Sequence, residues 1–571
     1  MKKLYHCILV IAASLLFLCL FNFGATAAEK VQTGGTLTFA DMFPRQNPRT
    51  WDNGDWNWRH GYDTGYYIEH LLVGDLQKGP RGTKKFAFQN SGDNLPADCV
   101  RGELVEKWEV KKEPLSIVFT VRKGIMWQEK PGVMKAREFV ADDIVNSMNR
   151  LKSSRKATPY YYDFIDRLEA KDKYTVIAHL KEWNAEWPYY MGYGYYDGIQ
   201  ALEQDKGPGG AAKWENACGT GPFMLEEYKS GHSSTYVKNP NYWDSDVING
   251  QKYQLPLLDK AISMFIKDPS TQLAAIRTGK LDMVMRLSNR EMQELKKTTP
   301  ELIWSKYLDI NSSYIALRMD RKPFDDVRVR RAVNMSIDRD KISNTFSGGE
   351  TVRVMVPFPP SAQNVYTPLE KLPPAAKELF TYNPEKAKKL LAEAGYPNGF
   401  TFKCTYGGGN SETIDFLSMI AAMLAEVGVT MEIDVMSYPS ALSKMTKKVH
   451  ENGYLISATQ GTPLAFIRKT FLTKQTWNAS MMSDPYIDKT WERLSSDPEL
   501  TQKQIDSELK KLGVYIIEQA PMLFLDGAYN YCARWPWVKN YYGELRVGAH
   551  RVSPIIARIW IDQELKKKMG H

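Results

Sequence analysis

An alternation of strand and helix patterns in the second half of the chain constrains its fold more than any other feature. Asn383 suits a helix cap, Pro384 the first helical position and Gly395 a left-handed stop, so a helix is predicted between them. Three more elements follow it: a strand at 400–404, a helix at 414–427 and a strand at 430–435. This order predicts an α/β fold in which the strands pair mainly in parallel.

An earlier segment, Pro323–Ile342, has the pattern of a capped amphipathic helix. Asp325 and Asp326 can accept the free amide N–H groups at a helix start. The stripe that we expect to be buried comprises Val329, Ala332, Val333, Ser336 and Ile337. Five cations lie off this stripe and predict a solvated or inter-element face, namely Arg328, Arg330, Arg331, Arg339 and Lys341.

The length of 571 residues exceeds what one compact core holds, so two or more lobes are expected. A composition of 43% hydrophobic and 25% charged residues is typical of a folded, soluble protein. The formal net charge is +9, but the lysines and arginines are interleaved with acids. No basic stripe of the kind that binds nucleic acid occurs, so we expect no nucleic-acid partner.

The N-terminus has the three parts of a secretory signal peptide. Lys2 and Lys3 form a positive region, Cys7–Phe23 is almost wholly apolar, and Ala25–Ala28 offers small residues for cleavage. We expect residues 1–28 to be removed by cleavage near residue 27–28 and the mature chain to be periplasmic. An uncleaved membrane anchor is the alternative. No later run reaches the roughly 18 apolar residues that a membrane span needs.

The sequence contains no recognisable catalytic or metal-binding pattern. The four cysteines that remain after cleavage allow three pairings: Cys99, Cys218, Cys404 and Cys532. No cysteine or histidine cluster has metal-site spacing. Neither a G-x-S-x-G nor an H-E-x-x-H string occurs, and the turn at Gly219–Gly221 lacks the lysine of a phosphate-binding loop. The sequence therefore predicts no catalytic residue, no metal and no cofactor.

The loop after the first predicted strand, residues 41–63, is rich in tryptophan. Trp51, Trp56 and Trp58 stand among Asn, Asp and Gly residues that do not build a regular core element. Two interpretations carry equal weight: the indoles line a cleft and stack on a ligand, or they cover a neighbouring core.

Nine strings, in order along the chain, resemble those of the family 5 extracellular solute-binding proteins, the oligopeptide- and dipeptide-binding class of ABC importers. They are GGTLTFA (34–40), GELVEKWEV (102–110), FTVRKGIMW (119–127), ADDIVNSM (141–148), GTGPFMLEEYKSG (219–231), KNPNYWD (238–244), PFDDVRVRRAVNMSIDRDKI (323–342), YNPEKAKKLLAEAGYPNGF (382–400) and APMLFL (520–525).

The resemblance implies a two-lobed periplasmic-binding-protein fold of type II, similar to the large cluster C, with an extra subdomain in the first lobe. The implied boundaries are 29–308 for lobe I, with the subdomain near 77–200, 309–527 for lobe II, and 528–571 for the return to lobe I. The hinge would lie near 308–314 and 523–527. Because Cys99 and Cys218 would share lobe I, a disulfide between them is favoured.

Two loops depart from the family pattern. The segment SATQGTPLAF, 457–466, contains no acid where peptide binders hold the ligand's amino group, and CTYGGGNSE, 404–412, contains no arginine. A buried ammonium group without a counter-charge is costly, so an uncharged polar or amphipathic ligand is favoured. An oligosaccharide and a blocked or longer peptide are equal candidates. Nickel has little support, since the eight histidines show no paired spacing.

The leading hypothesis is the substrate-binding component of an ABC importer, a monomer that captures a peptide-like or oligosaccharide-like solute and delivers it to a membrane permease. The predicted ligand contacts are Trp51, Trp56, Trp58, Tyr406, Asn410, Gln460, Thr462 and Trp477. The rings would stack on the ligand, and the amides and the hydroxyl would form hydrogen bonds. The alternatives are an exported hydrolase and a ligand-binding sensor on the same fold.

Overall fold

The computed structural model describes residues 30–42, 50–55, 60–89, 94–154, 156, 161–194, 197–309, 312–458 and 461–571. The strands among them are β1 (Thr36–Ala40), β2 (Leu72–Gly74), β3 (Val100–Gly102), β4 (Val105–Lys112), β5 (Leu115–Val121), β6 (Ile165–Asp172), β7 (Thr175–Leu180), β8 (Phe223–Lys229), β9 (Ser233–Lys238), β10 (Ser245–Ile248), β11 (Gln251–Gln254), β12 (Lys260–Met264), β13 (Met283–Leu287), β14 (Ile303–Leu308), β15 (Ser312–Leu317), β16 (Thr351–Val352), β17 (Phe400–Gly407), β18 (Val429–Met436), β19 (Gly453–Ala458), β20 (Met522–Phe524), β21 (Gly527–Arg534), β22 (Val538–Lys539) and β23 (Trp560–Ile561).

The α-helices in the described residues are α1 (His60–Thr64), α2 (Ala141–Lys152), α3 (Leu202–Lys206), α4 (Pro269–Arg277), α5 (Asn289–Thr298), α6 (Val327–Met335), α7 (Arg339–Ser347), α8 (Pro374–Lys377), α9 (Pro384–Glu393), α10 (Ser411–Ala425), α11 (Tyr438–Thr446), α12 (Pro463–Phe471), α13 (Pro485–Ser496), α14 (Gln502–Glu518), α15 (Ser553–Ile556) and α16 (Gln563–Lys568). None of them is long and apolar enough to cross a membrane.

An eight-stranded sheet collects strands from both ends of the described chain. Its order is β14-β21-β13-β1-β12-β9-β8, with β16 also paired to β21. The strand β1 lies parallel to both β12 and β13, so the carboxyl ends of these three strands meet at one edge. A separate antiparallel sheet, β4-β5-β7-β6, is formed within residues 105–180. Its first hairpin, β4–β5, turns at Glu113–Pro114.

A five-stranded sheet, ordered β18-β17-β19-β15-β20, is built wholly from residues 312–524. The strands β17, β18 and β19 are parallel, as the strand and helix order predicts. In β15, Tyr314 and Ala316 enter the core on one face, whereas Ile315 and Leu317 enter the core on the other. Both faces are therefore covered, as a sheet with parallel strands requires.

The chain crosses between the two large sheets at two adjacent places. The first crossing joins β14 to β15, and the second joins β20 to β21. On one side Leu308 pairs with Tyr529, and on the other Tyr314 pairs with Phe524. The two crossings therefore run side by side.

The segment Pro323–Ile342 forms two helices, so the prediction of one helix is wrong. The helix α6 ends near Ser336, and Asp338 starts α7 by accepting a hydrogen bond from the Lys341 amide at 2.9 Å. The predicted apolar stripe is buried: Val329, Ala332, Val333, Ser336 and Ile337. The proline, cap and stop of the later helix α9 are as predicted, with Asn383 accepting from the Lys386 amide.

Two of the arginines predicted to lie on a solvated or inter-element face are buried, with 3% exposure for Arg330 and 4% for Arg339. Arg330 donates to the carbonyl oxygen of Gln519 at 2.9 Å, and Arg339 donates to that of Phe524 at 3.1 Å. The inter-element alternative is correct for these two, and the solvated one is wrong. Their guanidinium groups tie the two helices to the second crossing.

We predict that Arg330→Met destabilises the protein by about 2–4 kcal/mol, because it strips buried carbonyl oxygens of their donors. Arg328→Met is the matched control, since the Arg328 side chain is 46% exposed and pairs with Asp326 at the surface. The control should cost less than about 1 kcal/mol. Urea unfolding followed by tryptophan fluorescence measures both, and equal losses would contradict the structural role of Arg330.

Candidate functional site

The carboxyl ends of parallel strands bring the predicted ligand loops to the edges of the two large sheets. In an α/β sheet this is the edge at which ligands bind. The loop 41–63 follows β1, the loop 408–410 follows β17, and the loop 459–462 follows β19. Trp56, Trp58 and Gln460 lie outside the described residues.

Trp51 is a core residue, with 2% of its surface exposed. Its indole meets the Tyr228 ring edge to face, with the ring centroids 5.2 Å apart, and lies 6.5 Å from the Tyr67 ring. Its carbonyl oxygen accepts a hydrogen bond from the Gln204 side chain at 3.0 Å. Of the two interpretations of this indole, the structure matches the one in which it covers a neighbouring core.

Asn410 and Thr462 act as helix caps at the two strand ends. Asn410 Oδ1 accepts from the Thr413 amide at 3.0 Å and starts α10, and the Asn410 amide approaches the Tyr406 hydroxyl at 3.4 Å. Thr462 Oγ1 accepts from the Ala465 amide at 3.2 Å and starts α12. These side chains therefore have structural partners in addition to any ligand.

Trp477 lies at the opposite end of β19 from Thr462. The Lys448 ammonium group binds the carbonyl oxygens on both sides of this indole, those of Thr476 at 2.7 Å and Asn478 at 3.0 Å. Lys448 precedes the start of β19, whereas Thr462 follows its end. A six-residue strand spans roughly 20 Å, so the structure does not bring Trp477 to the same loop as Thr462.

Gly461, which follows β19, lies against a cluster of tyrosines that the sequence interpretation missed. We call Tyr161, Tyr189, Tyr190 and Tyr193 the tyrosine face. Three of them lie in a π-helix, Tyr189–Tyr193, a distortion that is frequent at functional sites. A β-carbon placed on Gly461 would lie 3.5 Å from the Tyr189 hydroxyl. The density of tyrosine between 189 and 196 was the available sequence signal.

Arg468 of α12 lies over the tyrosine face. Its guanidinium carbon is 5.5 Å from the centroid of the Tyr190 ring and 5.9 Å from that of Tyr161. Such cation–π contacts are strongest where water is excluded, and the Arg468 side chain is buried. Burial opposes its charge, but the neighbouring tyrosines and Glu186 raise the pKa of Arg468 above its ordinary value.

Glu186 completes this cluster. Its Oε1 accepts a hydrogen bond from the Ala465 amide at 2.8 Å, and its Oε2 accepts one from the Tyr190 hydroxyl at 3.3 Å. Burial raises the pKa of Glu186 to about 7, although Arg468 and the Ala465 amide oppose the shift. The segment 457–466, which contains no acid, therefore has the carboxyl group of Glu186 as a neighbour.

A second polar group lies at the edge of the eight-stranded sheet. The Tyr62 ring stacks on His550 at 4.7 Å, and the Arg546 guanidinium lies 5.5 Å from the Tyr62 centroid. At the end of β13, Arg286 pairs with Asp309 at 3.5 Å beside the first crossing. The group therefore combines stacking surfaces with both signs of charge.

The cysteines do not form the predicted bridge. Cys99, Cys218, Cys404 and Cys532 are buried free thiols, so the favoured Cys99–Cys218 disulfide is wrong for this structure. The Cys218 sulfur contacts that of Met134 at 3.4 Å. Among the residues that the structure describes, no group of three or more His, Cys, Asp or Glu could hold a metal ion.

Comparison with known proteins identifies the family and the fold. The family model of bacterial extracellular solute-binding proteins, family 5 (middle), matches residues 100–475. The chain belongs to this family. Solute-binding proteins of this family are the substrate-capturing components of ABC importers, and they are binding proteins rather than enzymes. This confirms the resemblance inferred from the nine strings.

Two curated relatives are similar over most of their length. Heme-binding protein A of Haemophilus influenzae is 26% identical over 464 residues, which cover 77% of this chain and 81% of the relative. Di/tripeptide-binding protein 2 of Pseudomonas aeruginosa is 24% identical, with 80% and 84% covered.

A solved structure shows the same architecture. The periplasmic binding protein DppA of Helicobacter pylori, in complex with the peptide STSA, superposes with a TM-score of 0.70. It is 23% identical, and the match covers 93% of this chain and 99% of that one. The predicted two-lobed α/β fold of type II is confirmed.

We predict that a thiol reagent such as DTNB detects almost no reactive cysteine in the native mature protein and four after denaturation without reductant. Burial raises the pKa of Cys218, Cys404 and Cys532 to about 12 and that of Cys99 to about 11, so little thiolate forms at neutral pH. If only two thiols react after denaturation, the other two form a disulfide and the prediction of four free thiols is wrong. A native protein reduced with dithiothreitol should melt at an unchanged temperature.

Proposed function

We propose that this solute-binding protein captures a peptide-like solute between two lobes and delivers it to the permease of an ABC importer. The lobe boundaries that we propose are 29–308 with a subdomain near 77–200, 309–527, and a return at 528–571. The eight-stranded and five-stranded sheets support this division, because each draws its longer strands from one side of these boundaries. Two side-by-side crossings are the arrangement that a hinge requires.

The observation that carries the proposal is the contact between the loop after β19 and the tyrosine face. A strand-end loop of one lobe, together with Arg468 of the same lobe, meets aromatic and acidic side chains of the other. Tyr189, Tyr190 and Tyr193 are as buried as Trp51, with 3%, 2% and 4% exposure, but Gly461 and Arg468 of the second lobe cover this face. Opening of the cleft would therefore present flat apolar rings and hydroxyl groups, which suit the side chains and backbone amides of a peptide. The names of the relatives, which bind di- and tripeptides, a peptide or heme, agree with a ligand of this mixed character.

An oligosaccharide is the second candidate. The sequence favours it through indoles that would stack on sugar rings and through the lack of an acid in 457–466. Of the described indoles, Trp51 is buried in a core and Trp477 lies at the far end of β19. The stacking argument for a sugar is therefore weakened, and Glu186 supplies the missing acid at Ala465. Both observations favour the peptide-like ligand.

The remaining parts of the proposal follow from the sequence. We propose export to the periplasm after removal of residues 1–28, which lie outside the described residues. We also propose that the mature protein works as a monomer and without catalysis. A hydrolase on the same fold would release products from its ligand, which a pure binding protein does not.

We predict that the tetrapeptide STSA or an alanine-containing tripeptide raises the melting temperature, whereas maltotriose does not. Hemin is included as a third class. Ligand at 100 times its dissociation constant should stabilise the folded state by about 2.7 kcal/mol. Tyr189→Ala should weaken binding roughly tenfold or more, since it removes a ring from the tyrosine face. Trp477→Ala, the distant control, should leave affinity unchanged.

Differential scanning fluorimetry and titration calorimetry measure these effects, and mass spectrometry identifies any ligand carried through purification. Intact ligand after incubation supports binding without catalysis, and cleaved ligand supports the hydrolase. Stabilisation by maltotriose alone would replace the peptide with a sugar. A response to none of the compounds, with no ligand carried along, would contradict the proposed function.

A further inference from the structure

A carboxyl group joins the two proposed lobes beside the tyrosine face. Glu186 follows the four-stranded sheet in the chain and is 5% exposed, yet its Oε1 accepts from the Ala465 amide in α12 at 2.8 Å. The adjacent backbone also bonds to the second proposed lobe, because the Ala185 amide donates to the Ser495 carbonyl in α13 at 2.9 Å. Two adjacent groups, the Glu186 side chain and the Ala185 backbone amide, therefore lie at this boundary.

The surroundings of the Glu186 carboxyl group come from both sides. On its own side Tyr190 donates to it at 3.3 Å, and Tyr161 and Tyr189 line the same face. From α12, the positive charge of Arg468 lowers the pKa of Glu186 and partly offsets the effect of burial. The amino end of α12 also directs the positive end of the helix dipole toward it. The carboxyl group thus has the Ala465 amide and Arg468 as partners, in place of water, only while the two sides are in contact.

We propose that Glu186 is a positioning residue of the ligand cleft, which holds the amino end of α12 against the first lobe and makes closure of the cleft depend on pH. This inference rests on the proposed function in one respect only: the contact that it describes is the closed state of that cleft. We call the hydrogen bond between the Glu186 carboxyl group and the Ala465 amide the clasp. Residues 461–465 border the loop after β19, so the position of the predicted contact Thr462 depends on this clasp.

The sign of the pH effect follows from the two states of the carboxyl group. Its pKa is about 7 when the sides are in contact and returns toward the ordinary 4.5 when separation exposes it to water. The state with the higher pKa binds the proton more tightly, so a falling pH favours contact between about 7 and 4.5. The full shift would change the closure equilibrium about 300-fold, since each pKa unit is a factor of ten. Partial burial within its own lobe reduces this, and we expect about tenfold.

The experiment measures closure directly in the ligand-free mature protein. Spin labels are attached through Lys111→Cys and Lys503→Cys, two exposed positions that flank the boundary near the Lys112–Glu499 surface pair. The buried native thiols do not compete for the label. Pulsed electron spin resonance then gives the distance distribution at pH 5.5 and pH 8.5. We expect the short-distance population to be about tenfold more favoured, relative to the long one, at the lower pH.

Variants separate the clasp from general structural effects. Glu186→Gln keeps an acceptor for the Ala465 amide but carries no proton equilibrium, so its distances should not change with pH. The pH step is the change in the distance distribution between pH 8.5 and pH 5.5. Glu186→Asp should show part of this pH step, and Glu499→Gln, at the exposed pair, should show all of it. A wild type without a pH step, or a Glu186→Gln variant that keeps it, would overturn the proposal. Because no ligand is used, failure of the ligand panel leaves this test unaffected.

Discussion

The return of β21 into the eight-stranded sheet is the constraint on which the rest of the structure depends. This strand pairs with β14 on one side and with β13 on the other, with Leu308 opposite Tyr529. A strand from residues 527–534 thus completes a sheet that is otherwise built mostly before residue 309. The chain must cross twice, and the pairing holds both crossings at the same place. Two adjacent crossings are the arrangement about which we propose that the two sheets rotate.

The buried arginines strengthen the same region. Arg330 and Arg339 donate to carbonyl oxygens of residues 519–524, where the chain approaches its second crossing. Asn334 adds two hydrogen bonds of 2.9 Å, one to the Met522 carbonyl and one from the Phe524 amide. Backbone groups that would otherwise lack partners are satisfied by side chains of α6 and α7. The string Pro323–Ile342 therefore supports the second crossing, where we propose the hinge.

Local features could be predicted from the sequence because their causes are local. The cap, proline and glycine of α9 act within a few residues, and the parallel strands follow from the order of elements. Features that depend on distant partners could not be predicted. Whether Arg330 is solvated depends on a carbonyl 189 residues away, and whether Trp51 faces a ligand depends on Tyr228. Asn410 has the residue type of a ligand contact, but also that of a helix cap, and α10 uses it as one.

The missing acid of the loop 457–466 has a physical explanation in the same terms. The Glu186 carboxyl group already accepts from the Ala465 amide and faces Arg468. A second carboxylate in this loop would place two like charges in a buried space, and each would oppose ionisation of the other. Moving the acid from the loop to the opposite lobe avoids this repulsion, and it also makes the acid's environment depend on closure. The departure from the family pattern and the Glu186 contact are then one arrangement, in which closure brings a carboxyl group to the loop and raises its pKa, so that the group more readily takes up a proton there.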